Sequence, residues 1–214
     1  MQPGESGGRQ AFALPLELIA MTEIRNQMVV VVAGPPGSGK STVAALVARE
    51  LRAALIDIDV TFAPVVPLLS GHPRGRVRDA IYAGLVDAAV AAAQTGVDVV
   101  VAAPFTRERR DAQAWGELRD RFAGAGAEAV LVWLRVPEAT LLERLAARGA
   151  ARDAAKLANP AGWLREASAA TPPSAPHIEL DGAPAADVAA CALLAELASL
   201  GENCRPMTRE ACSF

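Results

Sequence analysis

The chain has 214 residues, 52% of them hydrophobic but only 4% aromatic, and a formal net charge of −3. That length suits one domain with small appendages, built around a core of Val, Leu, Ile and Ala. The acidic balance offers no field for polymeric nucleic acid, and the apolar runs are too short to span a bilayer.

In chain order, residues 1–27 read as an N-terminal extension. Residues 1–10 are polar and glycine-rich, without the basic start and apolar block of a signal peptide, and residues 11–27 suit a short helix. An apolar run over residues 28–33 predicts the first strand. It leads directly into Gly34-Pro35-Pro36-Gly37-Ser38-Gly39-Lys40-Ser41-Thr42 and then a helical stretch over residues 43–51. Strand, glycine-rich turn and helix start are the context that gives the G-x-x-x-x-G-K-[ST] spacing its mechanism, which is to wrap a polyphosphate. Gly37, Ser38, Gly39, Lys40, Ser41 and Thr42 present backbone amides at the positive end of a helix dipole. Lys40 is placed for the terminal phosphates, Ser41 for Mg²⁺ and Thr42 for the first phosphate.

A second strand is expected over residues 54–58, with Asp57 and Asp59 two residues apart and able to share one face. Asp57 is assigned to the metal side and Asp59 to accepting a proton from an incoming hydroxyl. The competing reading is a turn in which both aspartates cap backbone amides. Residues 61–75 hold three prolines and two glycines and read as a loop or broken helix over the carboxyl ends of the strands. Helical patterns follow over residues 76–93, 107–123, 138–148 and 185–200. They alternate with strands expected over residues 98–103, 129–136 and 177–180. The alternation predicts an α/β fold with a parallel sheet covered on both faces. Pro137 and Pro184 suit first-turn helix positions, and Gly96, Gly124 and Gly149 fall where helices should stop. Residues 160–176 read as a further break, and residues 201–214 as a C-terminal tail. Cys191, Cys204 and Cys212 are odd in number and without metal-ligand spacing, which points to a reduced, cytoplasmic setting.

The phosphate loop, the D-x-D-like strand end and the arginines of residues 144–156 together resemble the P-loop small-molecule kinases, the group of shikimate kinase, gluconate kinase and chloramphenicol phosphotransferase. The resemblance covers residues 28–200 in layout. It implies a three-layer P-loop kinase fold with a five-stranded parallel sheet in the order 2-3-1-4-5 and a helical lid over about residues 144–160. It implies ATP and Mg²⁺, and transfer of the γ-phosphoryl group to a hydroxyl of a small metabolite or antibiotic-like molecule. The chain departs from the wider P-loop pattern where Ala102 and Ala103 close the third strand without an acidic residue, which argues against a motor ATPase and leaves the metal to Asp57. It also lacks the N-K-x-D sequence of regulatory GTPases.

Lid arginines in the resembling kinases stabilise the charge spread over the transferred group. Arg148 and Arg152 are therefore the expected adenine-side and phosphate-side contacts, in either order, with Gly149 as the hinge. The alternative is a solvated basic helix face. The loop ending at Pro184 resembles the adenine-side loop of these kinases. Arg78, Tyr82, Phe105 and Arg107 are expected around Asp59 as acceptor contacts, where arginine suits an anionic or polyhydroxylated molecule. An alanine-rich helix face suits a homodimer. The loop alone also fits a nucleotide-binding regulatory or toxin-like module, a kinase acting on nucleotides or nucleic-acid ends, or an ATPase with no acceptor.

Overall fold

The computed structural model describes residues 27–69 and 72–203. All but Gln27 of the expected N-terminal extension, residues 204–214 of the expected tail, and Ser70 and Gly71 lie outside the described residues. The first half of the fold runs β1 (Gln27–Ala33), α1 (Lys40–Leu51), β2 (Ala54–Asp57), α2 (Ile58–Thr61), α3 (Arg74–Ala93), β3 (Val99–Ala102), α4 (Thr106–Arg110) and α5 (Ala112–Ala123). The second runs β4 (Ala127–Arg135), α6 (Glu138–Arg148), α7 (Ala154–Ala158), α8 (Pro160–Glu166), β5 (Ile178–Asp181) and α9 (Ala186–Asn203). Short 3₁₀ turns occupy Val66–Leu69 and Ala151–Asp153.

The sheet is five-stranded and parallel, in the order β2-β3-β1-β4-β5. β1 is its middle strand, and its valines explain why. Val29 and Val31 point to one face and pack with Leu85 and Ala89 of α3 and Leu118 and Phe122 of α5. Val30 and Val32 point to the other, against Val43 and Val47 of α1 and Leu193 and Leu197 of α9. A strand buried on both faces needs this unbroken apolar run rather than alternation. The result is the three-layer arrangement of the P-loop kinase fold. A third, smaller cluster of Val136, Leu141, Leu164 and Ala169 ties the lid segment to the strand β4 end. Among the described residues no helix is long and apolar enough to cross a membrane.

Several boundaries differ from the sequence reading, each for a local reason. The second strand stops at Asp57, because Asp57 Oδ1 accepts from the amides of Asp59 at 2.7 Å and Val60 at 3.3 Å and so starts α2. Asp57 and Asp59 therefore do not share a strand face. The helix expected over residues 107–123 is broken at Asp111, whose carboxylate accepts from Gln113 N at 2.9 Å and caps α5. The break expected over residues 160–176 instead begins with a helix. Asn159 Oδ1 accepts from Gly162 N, and Pro160 opens α8, where its missing amide costs nothing. Pro184 precedes α9 rather than sitting in its first turn.

Candidate active site

The strand order puts the end of β1 between β3 and β4, so the loop leaving it opens at the carboxyl edge of the sheet. Its conformation depends on glycine. Gly37 has φ +87 and Gly39 φ +92, a region where a Cβ is strained. Gly39 is the N-cap of α1, and its carbonyl accepts from Thr42 N and Val43 N at 3.1 and 3.0 Å. The first-turn amides of α1 are thereby aimed at the cleft, with no acidic residue in that turn to answer them. Such a cradle of unanswered amides fits a phosphate group.

Lys40 is 8% exposed and donates to the carbonyl of Pro35 at 3.2 Å. Burial lowers its ammonium to about 8, while Asp59 and Asp57 pull the other way. Its charge is thus held at modest cost, ready for a partner more negative than a carbonyl. Ser41 and Thr42 are exposed on the cleft wall, whereas Ser38 is buried and its hydroxyl has no hydrogen-bond partner. Asp57 is buried at 4% exposure and divides its oxygens: Oδ1 caps α2, and Oδ2 has no partner. An orphaned carboxylate oxygen beside the loop fits the water shell of a divalent cation.

Across the cleft the segment expected to form the lid is organised by Asp153, which the sequence reading leaves without a role. Asp153 is fully buried, and its carboxylate accepts from Arg148 Nε at 2.9 Å and Nη2 at 2.5 Å, and from Lys156 Nζ at 2.5 Å. Burial pushes this carboxyl up, but the hydrogen bonds from Lys156 and Arg148 outweigh it and hold it below its ordinary range. Arg152 is half-exposed and forms an ion pair of 3.0 Å with Asp59. Gly149 ends α6 in the left-handed conformation, at φ 59. Arg144 is a clamp: it donates to the carbonyls of Gly182 and Ala183 at 2.8 and 2.9 Å and fixes the loop before α9. Pro184 of that loop, Thr42 and Arg144 line a small cavity of about 260 Å³ against the phosphate loop.

The main cleft has a volume of about 1800 Å³ and joins the phosphate loop, the lid, α3 and the β3–α5 segment. Arg78, Tyr82 and Arg107 line it, but Arg78 pairs with Asp79 and Arg107 with Glu117 at 2.9 Å. Phe105 does not reach it. It is fully buried and stands edge-on to Tyr82, with ring centroids 6.0 Å apart, so it supports the wall from behind. Burial raises the Tyr82 phenol above its ordinary value.

Arg109, which the sequence reading passed over, is 1% exposed and spans the fold by donating to the carbonyls of Pro104, Ala167 and Ser168. No local signal in the sequence marks it, since two of its partners lie on a segment nearly sixty residues away. Trp163 lines the cleft, while Trp115 and Trp133 are buried in the core.

A model of the AAA domain family matches residues 29–173. No curated protein matches the chain. Among solved structures, it is similar to a gluconokinase from Sinorhizobium meliloti 1021, at 22% identity over 84% of this chain and 96% of that one, with a TM-score of 0.58. It is similar to the shikimate kinase of Aquifex aeolicus at 18% identity, over 82% and 99% of the two chains, with a TM-score of 0.55. It is also similar to the Mycobacterium tuberculosis APS kinase CysC, solved with AMPPNP and APS, at 24% identity over 81% and 98%, with a TM-score of 0.55. These are likenesses of fold.

Proposed function

Since this chain belongs to the AAA domain family, we propose that it is an ATP-dependent phosphotransferase acting on a hydroxyl of a small molecule. One observation carries this reading. The cleft extends well past the phosphate loop, and its roughly 1800 Å³ exceeds the 300–1000 Å³ or so that one drug-sized ligand needs. A donor and an acceptor fit side by side.

Bound ATP supplies the transferable phosphoryl group, and Mg²⁺ the positive charge that offsets its oxygens. The amides of Gly37, Ser38, Gly39, Lys40, Ser41 and Thr42 would hold the phosphates. Lys40 would exchange its carbonyl partner Pro35 for phosphate oxygens. The hydroxyl of Ser41 and the free oxygen of Asp57 would hold the metal side. The cavity at Pro184, Thr42 and Arg144 suits adenine. In the reading from lid chemistry, Arg152 leaves Asp59 for the transferred group and Arg148 stays on Asp153 to set the lid. Asp59, released from its ion pair, accepts the acceptor's proton as the oxygen attacks phosphorus and the bond to the leaving diphosphate breaks. Tyr82, backed by Phe105, with Arg78 and Arg107 at the rim, would bound the acceptor.

The test is a panel of hydroxyl compounds incubated with ATP and read for mass gain of one phosphoryl group, run beside Asp59→Asn. That variant is expected to bind ATP as the parent does and to transfer nothing. Full turnover by Asp59→Asn would sink the assignment, and steady phosphate release that no hydroxyl compound diverts would sink the transferase reading.

A further inference from the structure

The acceptor half of the cleft carries a chemical preference of its own. Among the described residues, six carboxylates line the cleft: Asp59, Asp79, Glu108, Asp111, Glu117 and Glu166. Three are engaged by arginines, namely Asp59 with Arg152, Asp79 with Arg78 and Glu117 with Arg107. Asp111 caps α5, and Glu166 is exposed. Glu108 alone among these is half-buried, and among the described residues no lysine or arginine stands within ion-pair distance of it. Its neighbour Arg107 is turned to Glu117, and Arg109 is spent on carbonyls. Glu108 bears on the Tyr82 phenol but is not among the charges that bear on Lys40, which are Asp59, Asp57, Arg148 and Arg109. It lines the cleft on α4, with Tyr82 of α3 in the same wall.

Apolar side chains share the cleft wall with it: Phe62, Val77, Ile81, Tyr82, Leu118 and Trp163 line the space. The rim arginines are neutralised locally, Arg121 by Asp87 at 2.6 Å in addition to the two pairs above, which leaves Arg110 without a carboxylate partner among the described residues. An anionic acceptor could take up Arg110 alone without breaking a pair, but to engage Arg78, Arg107 or Arg121 it would have to break these pairs, and it would meet Glu108 as well. A partly desolvated carboxylate in an apolar wall instead rewards a donor, because leaving it unanswered costs free energy.

We infer that the acceptor is a neutral or cationic hydroxyl compound with an apolar body, and that Glu108 holds a second donor group on it, a hydroxyl or an amine. This rests on the phosphotransferase reading above. Burial raises the Glu108 carboxyl above its ordinary value even though its own backbone amide and the charge of Arg107 pull the other way, in keeping with a group that gains from a further donor.

The test uses the full chain with AMPPNP and five probes: phenylalaninol, phenylpropanediol, phenylpropanol, phenyllactate and glycerol. Binding is read by saturation-transfer NMR, and phosphoryl gain by mass in parallel runs with ATP. Phenylalaninol and phenylpropanediol are expected to bind about tenfold or more tightly than phenyllactate and glycerol, the scale of one charge-assisted hydrogen bond. Glu108→Gln, with unchanged melting and AMPPNP binding, is expected to remove most of the advantage of phenylalaninol over phenylpropanol. If the advantage lost is shared equally by phenylpropanediol, the donor is a hydroxyl; if it belongs to phenylalaninol alone, it is an amine. Val77→Ser, which leaves Glu108 in place, should weaken every aryl probe and spare glycerol. Tightest binding by phenyllactate, or an equal effect of Glu108→Gln on phenylpropanol, would overturn the inference. If no probe gains a phosphoryl group, the transfer reading fails while the binding order still upholds or overturns the acceptor class.

Discussion

The two halves of the cleft are built by different means. The donor half is one contiguous segment, residues 34–42, whose shape is set by positive-φ glycines and whose chemistry is largely backbone amides at the start of α1. The acceptor half is assembled from α2, α3, α4, α5 and the lid, and its chemistry lies in side chains most of which have settled their charges among themselves, Glu108 and Arg110 excepted. A backbone-borne site is written in consecutive residues. A side-chain site depends on which distant partners the fold supplies, and Arg78 and Arg107 illustrate how a plausible cation is consumed by a neighbouring carboxylate.

The strongest way to break this contrast is Lys40→Met. Lys40 is the one charged side chain buried in the donor half, and its loss removes the cation nearest the phosphates. Transfer is expected to fall on the order of a thousandfold, measured as ADP formation in the presence of acceptor. A loss under tenfold would place the essential cation in the lid instead.

Lys40 also offers a proton count. Its native value of about 8 lies below the ordinary 10.5, so between those limits the unfolded chain binds more protons and stability rises with pH. Below about 8 the burial cost of the charged amine is carried in full. A triphosphate favours the charged form, so nucleotide binding at pH 8 should take up roughly half a proton. Calorimetry in buffers of different ionisation enthalpy reads this directly, and the uptake should vanish in Lys40→Met.

The next largest effect is expected at Asp153, where the lid is anchored. Asp153→Asn leaves Arg148 and Lys156 facing a neutral amide. The expected loss is about 2–3 kcal/mol in chemical denaturation, below the usual range for a broken buried pair because Arg148 remains 37% exposed. The sign with pH follows from a carboxyl held below its ordinary range. Its stabilisation is complete above that range and is lost as pH falls through the native value, so parent and variant should converge in acid. Equal stability at pH 7 would mean that the lid is held by Leu164 and Trp163 packing alone.

Legibility followed the same division. The parallel sheet, the phosphate loop and the helix over residues 138–148 could be read because periodicity and glycine spacing are local signals, whereas the strand order came from the resemblance. The capping of backbone amides was an alternative legible for Asp57 beside its metal-side role, but that it starts a helix depended on where the strand would end, and that moved Asp59 onto α2. Asp153 was given no role and Arg109 was passed over because burial of a charge is decided by packing: Asp153 needed Arg148 and Lys156 folded around it, and Arg109 needed carbonyls nearly sixty residues away at Ala167 and Ser168. Glu108 stood unnoticed among arginines. Its significance comes from its half-burial in the cleft wall with no ion-pair partner among the described residues.

A smaller effect separates conformation from contact in the donor half. A Cβ added at Gly39 meets no atom within 4 Å, yet φ there is +92. Gly39→Ala should therefore cost about 1–2 kcal/mol through backbone strain alone. A melting curve gives the cost, and weaker AMPPNP binding should accompany it as the amides of α1 lose their aim. An unchanged melt would show that the loop relaxes to another conformation, and the backbone account of the donor half would have to be given up.

The smallest expected effect is the sharpest test of the acceptor half. Arg107 is 68% exposed and its pair with Glu117 is a surface ion pair, so Arg107→Ala should change stability by no more than about 0.5 kcal/mol. If the pair only neutralises the rim, nucleotide binding and probe binding should also hold, and phenyllactate should gain nothing. If Arg107 instead leaves Glu117 to hold the acceptor, the variant will lose acceptor affinity with its fold intact, and anionic probes will suffer most. Glu117→Gln reports from the other side: freeing Arg107 should then improve phenyllactate binding. The two variants together decide whether the rim arginines are spent on their neighbours or held in reserve for an anionic acceptor.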